Sequence, residues 1–233
     1  MPQPVWYFAS KTAVRLGIRE MTSTTPKPPP DYVHLQPLFA DWTERQRYPE
    51  WLLLIWANFM ALLPLSGGVL LLWLPYQFYS YSGSRYAILP ALALPTSWKI
   101  VMGGLIILGS MLLHEWLHGL ALRLCGHRPR YAFAKLFLFA SIQEGSYLSR
   151  PHYLFMTLTP VVVMTAVGGT VLFILPPALG QLLLIALLLN TAASTGDFMV
   201  AWRVYKAPPD ALFSDDQGIQ LFVPASQSHA DAL

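Results

Sequence analysis

The chain has 233 residues and a mass of 26.1 kDa; 55% of it is hydrophobic, only 12% is charged, and the mean hydropathy is +0.45. Soluble domains carry about 25% charged residues, and disordered chains pair low hydrophobicity with high net charge, so both classes are excluded. The single cysteine, Cys125, rules out an internal disulfide framework and a cysteine cluster for zinc, and the net charge of +3 is scattered among apolar runs rather than gathered for nucleic acid.

Residues 1–50 are expected to lie in the cytoplasm. They lack the short apolar core and small-residue cleavage site of a secretory signal, and Glu20 with the proline-rich stretch after it argues against a transit peptide. Trp6, Tyr7, Phe8, Leu38, Phe39 and Trp42 beside Arg and Lys suit helices lying on a membrane surface. Between them PKPPP (26–30) reads as a stiff, extended spacer.

Four membrane spans are then expected, because about 20 apolar residues cross the hydrocarbon. Trp51 to Ser84 has no Asp, Glu, Lys or Arg and holds the first span, about 51–78, with Pro64 as a kink. A second runs from Trp98 to Leu124, with Thr96 or Ser97 as its cap. Pro151 to Gly196 is again free of those four charged types. It is too long for one span, and Pro176-Pro177 divides it into helices at about 152–175 and 178–205. The predicted fold is therefore an all-α polytopic membrane protein.

One segment between spans departs from this plan. Tyr131, Phe133, Lys135, Phe137 and Phe139 alternate with small or aliphatic residues, the period-two pattern of a β-strand. Ser141 to Ser149 can supply a turn and a returning strand, giving a short hairpin between the second and third spans. After Ala207 come four Asp, no Lys or Arg and two successive prolines, which predicts a mostly disordered acidic tail (207–233). Lys and Arg number six in residues 1–50, two between the first two spans, five from Arg123 to Arg150, none at Pro176-Pro177 and two after the last span. The positive-inside rule then puts residues 1–50, the hairpin and the tail in the cytoplasm, the default membrane being a bacterial plasma membrane.

The chemistry centres on His114-Glu115-Trp116-Leu117-His118, an HExxH motif. On a helix, positions i and i+4 share a face, so both imidazoles can bind one Zn²⁺, with Glu115 beside it to take a proton from bound water. The motif lies within an apolar helix, where a carboxylate costs about 3 kcal/mol and is by default functional. A catalytic zinc takes three protein ligands. His34 and His229 lie in the flanking segments, and His127 and His152 flank the hairpin. Asp197, the only acidic residue between Pro151 and Ala207, is the leading candidate for third ligand, and Glu144 is the alternative. Asn190, Ser194 and Asp197 form one polar stripe at i, i+4 and i+7, so Asn190 and Ser194 are candidates for contact with substrate or metal-bound water, or for helix–helix hydrogen bonding. His114 lies 16 residues after Trp98 and Asp197 lies 16 after Gln181, so both sit about 24 Å down parallel spans, at one depth.

An HExxH inside a membrane helix, completed by an aspartate on a later span, resembles the site-2 protease class of intramembrane metalloproteases. More closely, HEWLHG, a proline-containing third span and the segment from Asn190 through Ser194 to Gly196-Asp197 resemble a membrane family described as "putative zincin peptidases". The similarity covers about residues 50–205. It implies zinc held by His114, His118 and Asp197, with Glu115 as general base. In the site-2 class the aspartate precedes its glycine; here Gly196 precedes Asp197. Site-2 proteases are thought to hold substrate as an added strand, a part that Tyr131–Ser141 would take by analogy.

The expected function is that of an intramembrane zinc metallopeptidase acting on a membrane-protein or peptide substrate, with the lipid bilayer as its other partner and no nucleic acid. A non-catalytic zinc-binding scaffold is the first alternative. A divalent-metal transporter is the second, disfavoured by the lack of inverted halves.

Overall fold

The computed structural model describes residues 28–38, 59–60, 62–70, 94–134, 137–143, 145–215 and 218–226. The chain divides into two compact units, one of residues 1–53, 118–157 and 199–233, the other of residues 54–117 and 158–198.

The second apolar run winds into helix α1, Thr96–Leu124. Twenty-nine residues at 1.5 Å each give about 43 Å, more than the hydrocarbon thickness. The helix stops at Gly126, whose φ of 82° is the left-handed conformation glycine adopts most cheaply. There the amide of His127 donates to the Leu122 carbonyl at 2.9 Å and that of Gly126 to the Arg123 carbonyl at 3.0 Å, the paired bonds of a Schellman cap. The cap fixes where the helix carrying His114 and His118 ends and the chain turns into strands.

Those strands overturn the all-α expectation. Strands β1 (Tyr32–Pro37), β2 (Pro129–Ala134), β3 (Phe137–Ile142), β4 (Leu148–Ser149), β5 (Leu212–Ser214) and β6 (Gln220–Pro224) form two antiparallel sheets. β2 and β3 make the expected hairpin, but its turn falls earlier. Ala134 pairs with Phe137 and Pro129 with Ile142, so the alternating run folds back on itself instead of forming one strand followed by a return. The other sheet has the order β1-β6-β5-β4.

The acidic segment after Ala207 also departs from expectation, because it supplies the two central strands of that sheet. Phe213, Phe222, Leu221 and Val223 are buried, and Phe213, Leu221 and Val223 share one cluster with Leu122, Leu148, Tyr153, Met156 and Val204. Full burial of such a side chain is worth about 1.5–3 kcal/mol, which outweighs the disordering effect of a few aspartates. One of those aspartates is itself engaged: the Tyr153 hydroxyl donates to Asp215 Oδ1 at 2.7 Å.

The span count changes as well. Among the described residues, α1 and α2 (Arg150–Leu172) are long and apolar enough to cross a membrane. The expected fourth span is two helices, α3 (Pro177–Ala193) and α4 (Thr195–Lys206), bent by 43° and equivalent to a third span only if taken together. Four uninterrupted spans are therefore not what the chain builds. Most of the expected first span lies outside the described residues, though residues 62–70 are helical. The expected surface helices of residues 1–50 also lie outside, except for β1.

The bend has a local cause. Thr191 Oγ1 donates to the Leu187 carbonyl at 2.7 Å, Ser194 Oγ to the Asn190 carbonyl at 2.9 Å, and Thr195 Oγ1 to the Ala192 carbonyl at 2.6 Å. Hydroxyls bonded back to carbonyls three and four residues earlier compete with the helix ladder and tilt it. Upstream, α2 and α3 pack closely. A Cβ on Gly168 would lie 2.5 Å from the Leu187 side chain, so a larger residue there would have to displace that buried leucine.

Candidate metal centre

α1 presents a divided surface. Leu112, Leu113 and Trp116 are exposed, as suits a lipid-facing side, whereas His114 and His118 are only 9% and 8% exposed. The ligand atoms of His114, Glu115 and His118 lie within 4.8 Å of one another. This follows from helix geometry, which stacks residues four apart on one face. Gly119 comes next, and a side chain there would strike Tyr131 of β2, so the glycine lets the hairpin lie directly against the helix beside His118.

The orientation of each imidazole is set by the nitrogen turned away from the metal position. His118 Nδ1 donates to the Met156 carbonyl oxygen at 2.9 Å. In an uninterrupted helix that oxygen would accept the amide of residue 160. Residue 160 is a proline inside α2 and has no amide hydrogen to give. Pro160 thus leaves a buried carbonyl for His118, which fixes the Nδ1–H tautomer and leaves Nε2 as a lone-pair donor. Pro160→Ala should weaken zinc binding about 10- to 100-fold, the usual cost of losing such an outer partner, as measured by competition with a chelator of known affinity.

His114 is held in the same sense. Its Nδ1 donates to Asn190 Oδ1 at 2.8 Å, and its Nε2 lies 3.1 Å from Asp197 Oδ2. With Nδ1 protonated and the ring neutral, two lone-pair atoms face each other at that distance and repel, so a proton or a cation must lie between them. Zinc bonds of about 2.0–2.1 Å at a tetrahedral angle set two ligand atoms about 3.3 Å apart, so the observed spacing fits a shared zinc. Two imidazoles, a carboxylate and a further acidic neighbour are also the donor set zinc favours.

Asp197 reaches this position because of the bend. It lies in the first turn of α4, where the positive end of the helix dipole favours a carboxylate. Asn190 comes from the last turn of α3, so the two sides of the break supply two groups to the same imidazole.

The structure therefore brings together His114, Glu115 and His118 along α1, and Asn190 and Asp197 on His114. Ser194 instead serves the backbone: it is fully buried, and its hydroxyl bonds the Asn190 carbonyl and shapes the bend. His34 bonds to Gln220 in the sheet, and His127 and His152 take no part in the His/Glu cluster among the described residues. Glu144 and His229 lie outside the described residues. The Met156 carbonyl and Pro160 were missed by sequence reasoning, although a proline four residues after a carbonyl always frees that acceptor.

No curated protein and no solved structure matches the chain. Residues 107–212, which carry His114, Glu115, His118, Asn190 and Asp197, match the model of the family described as "Putative zincin peptidase".

Proposed function

We propose that the protein is an intramembrane zinc metallopeptidase that hydrolyses a peptide bond in a membrane-associated substrate. The observation that carries this reading is the HExxH cluster on a helix long enough to cross a membrane, with Asp197 3.1 Å from His114.

His114, His118 and Asp197 would hold the zinc, which when bound polarises the scissile carbonyl and lowers the pKa of water towards 7. Glu115 takes the proton of the attacking water and returns it to the leaving amine. Asn190 orients His114 through Oδ1, and its buried Nδ2 has no partner among the described residues, which suits it to a substrate carbonyl. The β2–β3 hairpin pairs with no other described strand and offers an edge to an extended substrate. His118 is six residues from the end of α1, about 9 Å along the axis, so water has a short path to the site. The charge pattern assigns that end to the cytoplasmic side.

The test is a comparison of new protein N-termini in membranes containing zinc-loaded protein, protein stripped with a chelator, and stripped protein given zinc again. Cleavages that vanish on stripping and return with zinc are expected. A set of termini indifferent to zinc would leave the non-catalytic scaffold as the reading.

A further inference from the structure

Helix α4 has two unlike faces beyond the turn that carries Asp197. Ala201 and Val204 are buried. Phe198, Trp202 and Tyr205, at i, i+4 and i+7, form a stripe exposed by 38%, 61% and 56%. The Trp202 and Tyr205 rings stack with centroids 6.3 Å apart. A cation caps each ring: the Arg150 guanidinium lies 5.2 Å from the Tyr205 centroid, and Lys206 Nζ lies 4.9 Å from that of Trp202. The result is one continuous strip of cation, ring, ring and cation.

Two further facts indicate what covers this strip. Arg150 is the first residue of α2, a helix of membrane-spanning length, so in a bilayer the strip would lie where apolar chain gives way to water. Aromatic rings with an apolar body and a polar edge concentrate at that depth. Neither Arg150 nor Lys206 forms an ion pair among the described residues. Two uncompensated cations about a ring pair at the bilayer boundary call for a ligand with an apolar tail and a net negative head.

We infer that Arg150, Trp202, Tyr205 and Lys206 form a binding site for the headgroup of an anionic phospholipid. A cation at either end of the ring pair attracts the negative headgroup, and the rings rest against the glycerol and upper acyl chain. Phosphate alone is common to zwitterionic lipids; the pair of unpaired cations is what selects a net negative lipid. The inference stands on these four residues and not on the peptidase reading.

The experiment is native mass spectrometry of the full chain released from nanodiscs of equal phosphatidylglycerol and phosphatidylcholine. Wild type should retain phosphatidylglycerol preferentially. Arg150→Gln and Lys206→Gln, singly, should each reduce that preference about fivefold, and the pair should abolish it. Arg150→Lys with Lys206→Arg, which keeps both charges, should retain it. If the double glutamine variant does not fold, the two single variants decide. Equal retention of both lipids by wild type, or an unchanged preference in the glutamine variants, would overturn the inference. So would cross-linking of Trp202 to a second copy of the chain, because the face would then be covered by protein.

Discussion

Asp197→Ala is expected to leave the purified protein without stoichiometric zinc. Wild type should hold about one zinc per chain by elemental analysis after exhaustive dialysis, and both His118→Ala and Asp197→Ala should hold far less than one. With His118 and Asp197 as the proposed ligands, the expected fall in affinity exceeds about 100-fold, because removing a ligand costs more than removing the outer partner of one. Losing the carboxylate does more than remove a donor. His114 Nε2 now lies 3.1 Å from Asp197 Oδ2. Without that oxygen the imidazole keeps Asn190 on one side, and the Glu115 carboxylate is left to balance a divalent ion without its help. Asp197→Asn separates the two effects, since it keeps the shape and removes the charge. It should also lose zinc, by a smaller factor. Zinc lost in His118→Ala but kept in Asp197→Ala would move the third ligand elsewhere, to Glu144 first.

Glu115→Gln should lower hydrolysis about 10²- to 10⁴-fold while leaving zinc content unchanged, the range a positioned general base contributes. Glutamine has the size and outline of glutamate, so the packing of α1 is preserved, but its amide cannot take a proton from water. Glu115 and the two histidines lie together on α1 with their ligand atoms within 4.8 Å. A carboxylate so close to the two histidines would be within reach of a water bound to a metal that they hold. The paired measurement carries the weight. Activity lost with zinc retained identifies Glu115 as the base. Activity lost together with zinc makes it a ligand instead, and activity retained assigns the proton to another group.

The site was more legible in the sequence than the fold that supports it. The HExxH spacing is local, since one helical turn decides it, and the lone acid in a long uncharged stretch marked Asp197 without knowledge of any contact. The strands were harder because their pairing is distant. His34 in β1 bonds to Gln220, 186 residues away, and no local pattern encodes that partnership. In the acidic segment, charge obscured the signal: four aspartates suggested disorder, while Phe213, Leu221, Phe222 and Val223 held enough apolar surface to build a sheet. The bend at Ser194 was hidden for a different reason. Hydropathy registers Thr191, Ser194 and Thr195 as mildly polar, and their effect comes from hydrogen bonds turned back on their own helix.

The four-stranded sheet also constrains how the chain threads the bilayer. A ladder of backbone hydrogen bonds cannot be drawn through hydrocarbon, so strands that pair must emerge into the same aqueous compartment. β1 pairs with β6, so on the intramembrane reading the chain between them would have to cross an even number of times. β4 pairs with β5, and between these two lie only α2, α3 and α4, so on the intramembrane reading α2 would leave the compartment and the bent pair would bring the chain back. On that reading the relative sidedness of the crossings would be tied by hydrogen bonds as well as by the distribution of lysine and arginine. Adding or moving basic residues can invert the whole set of crossings together, but inverting a single leg would require the sheet to come apart.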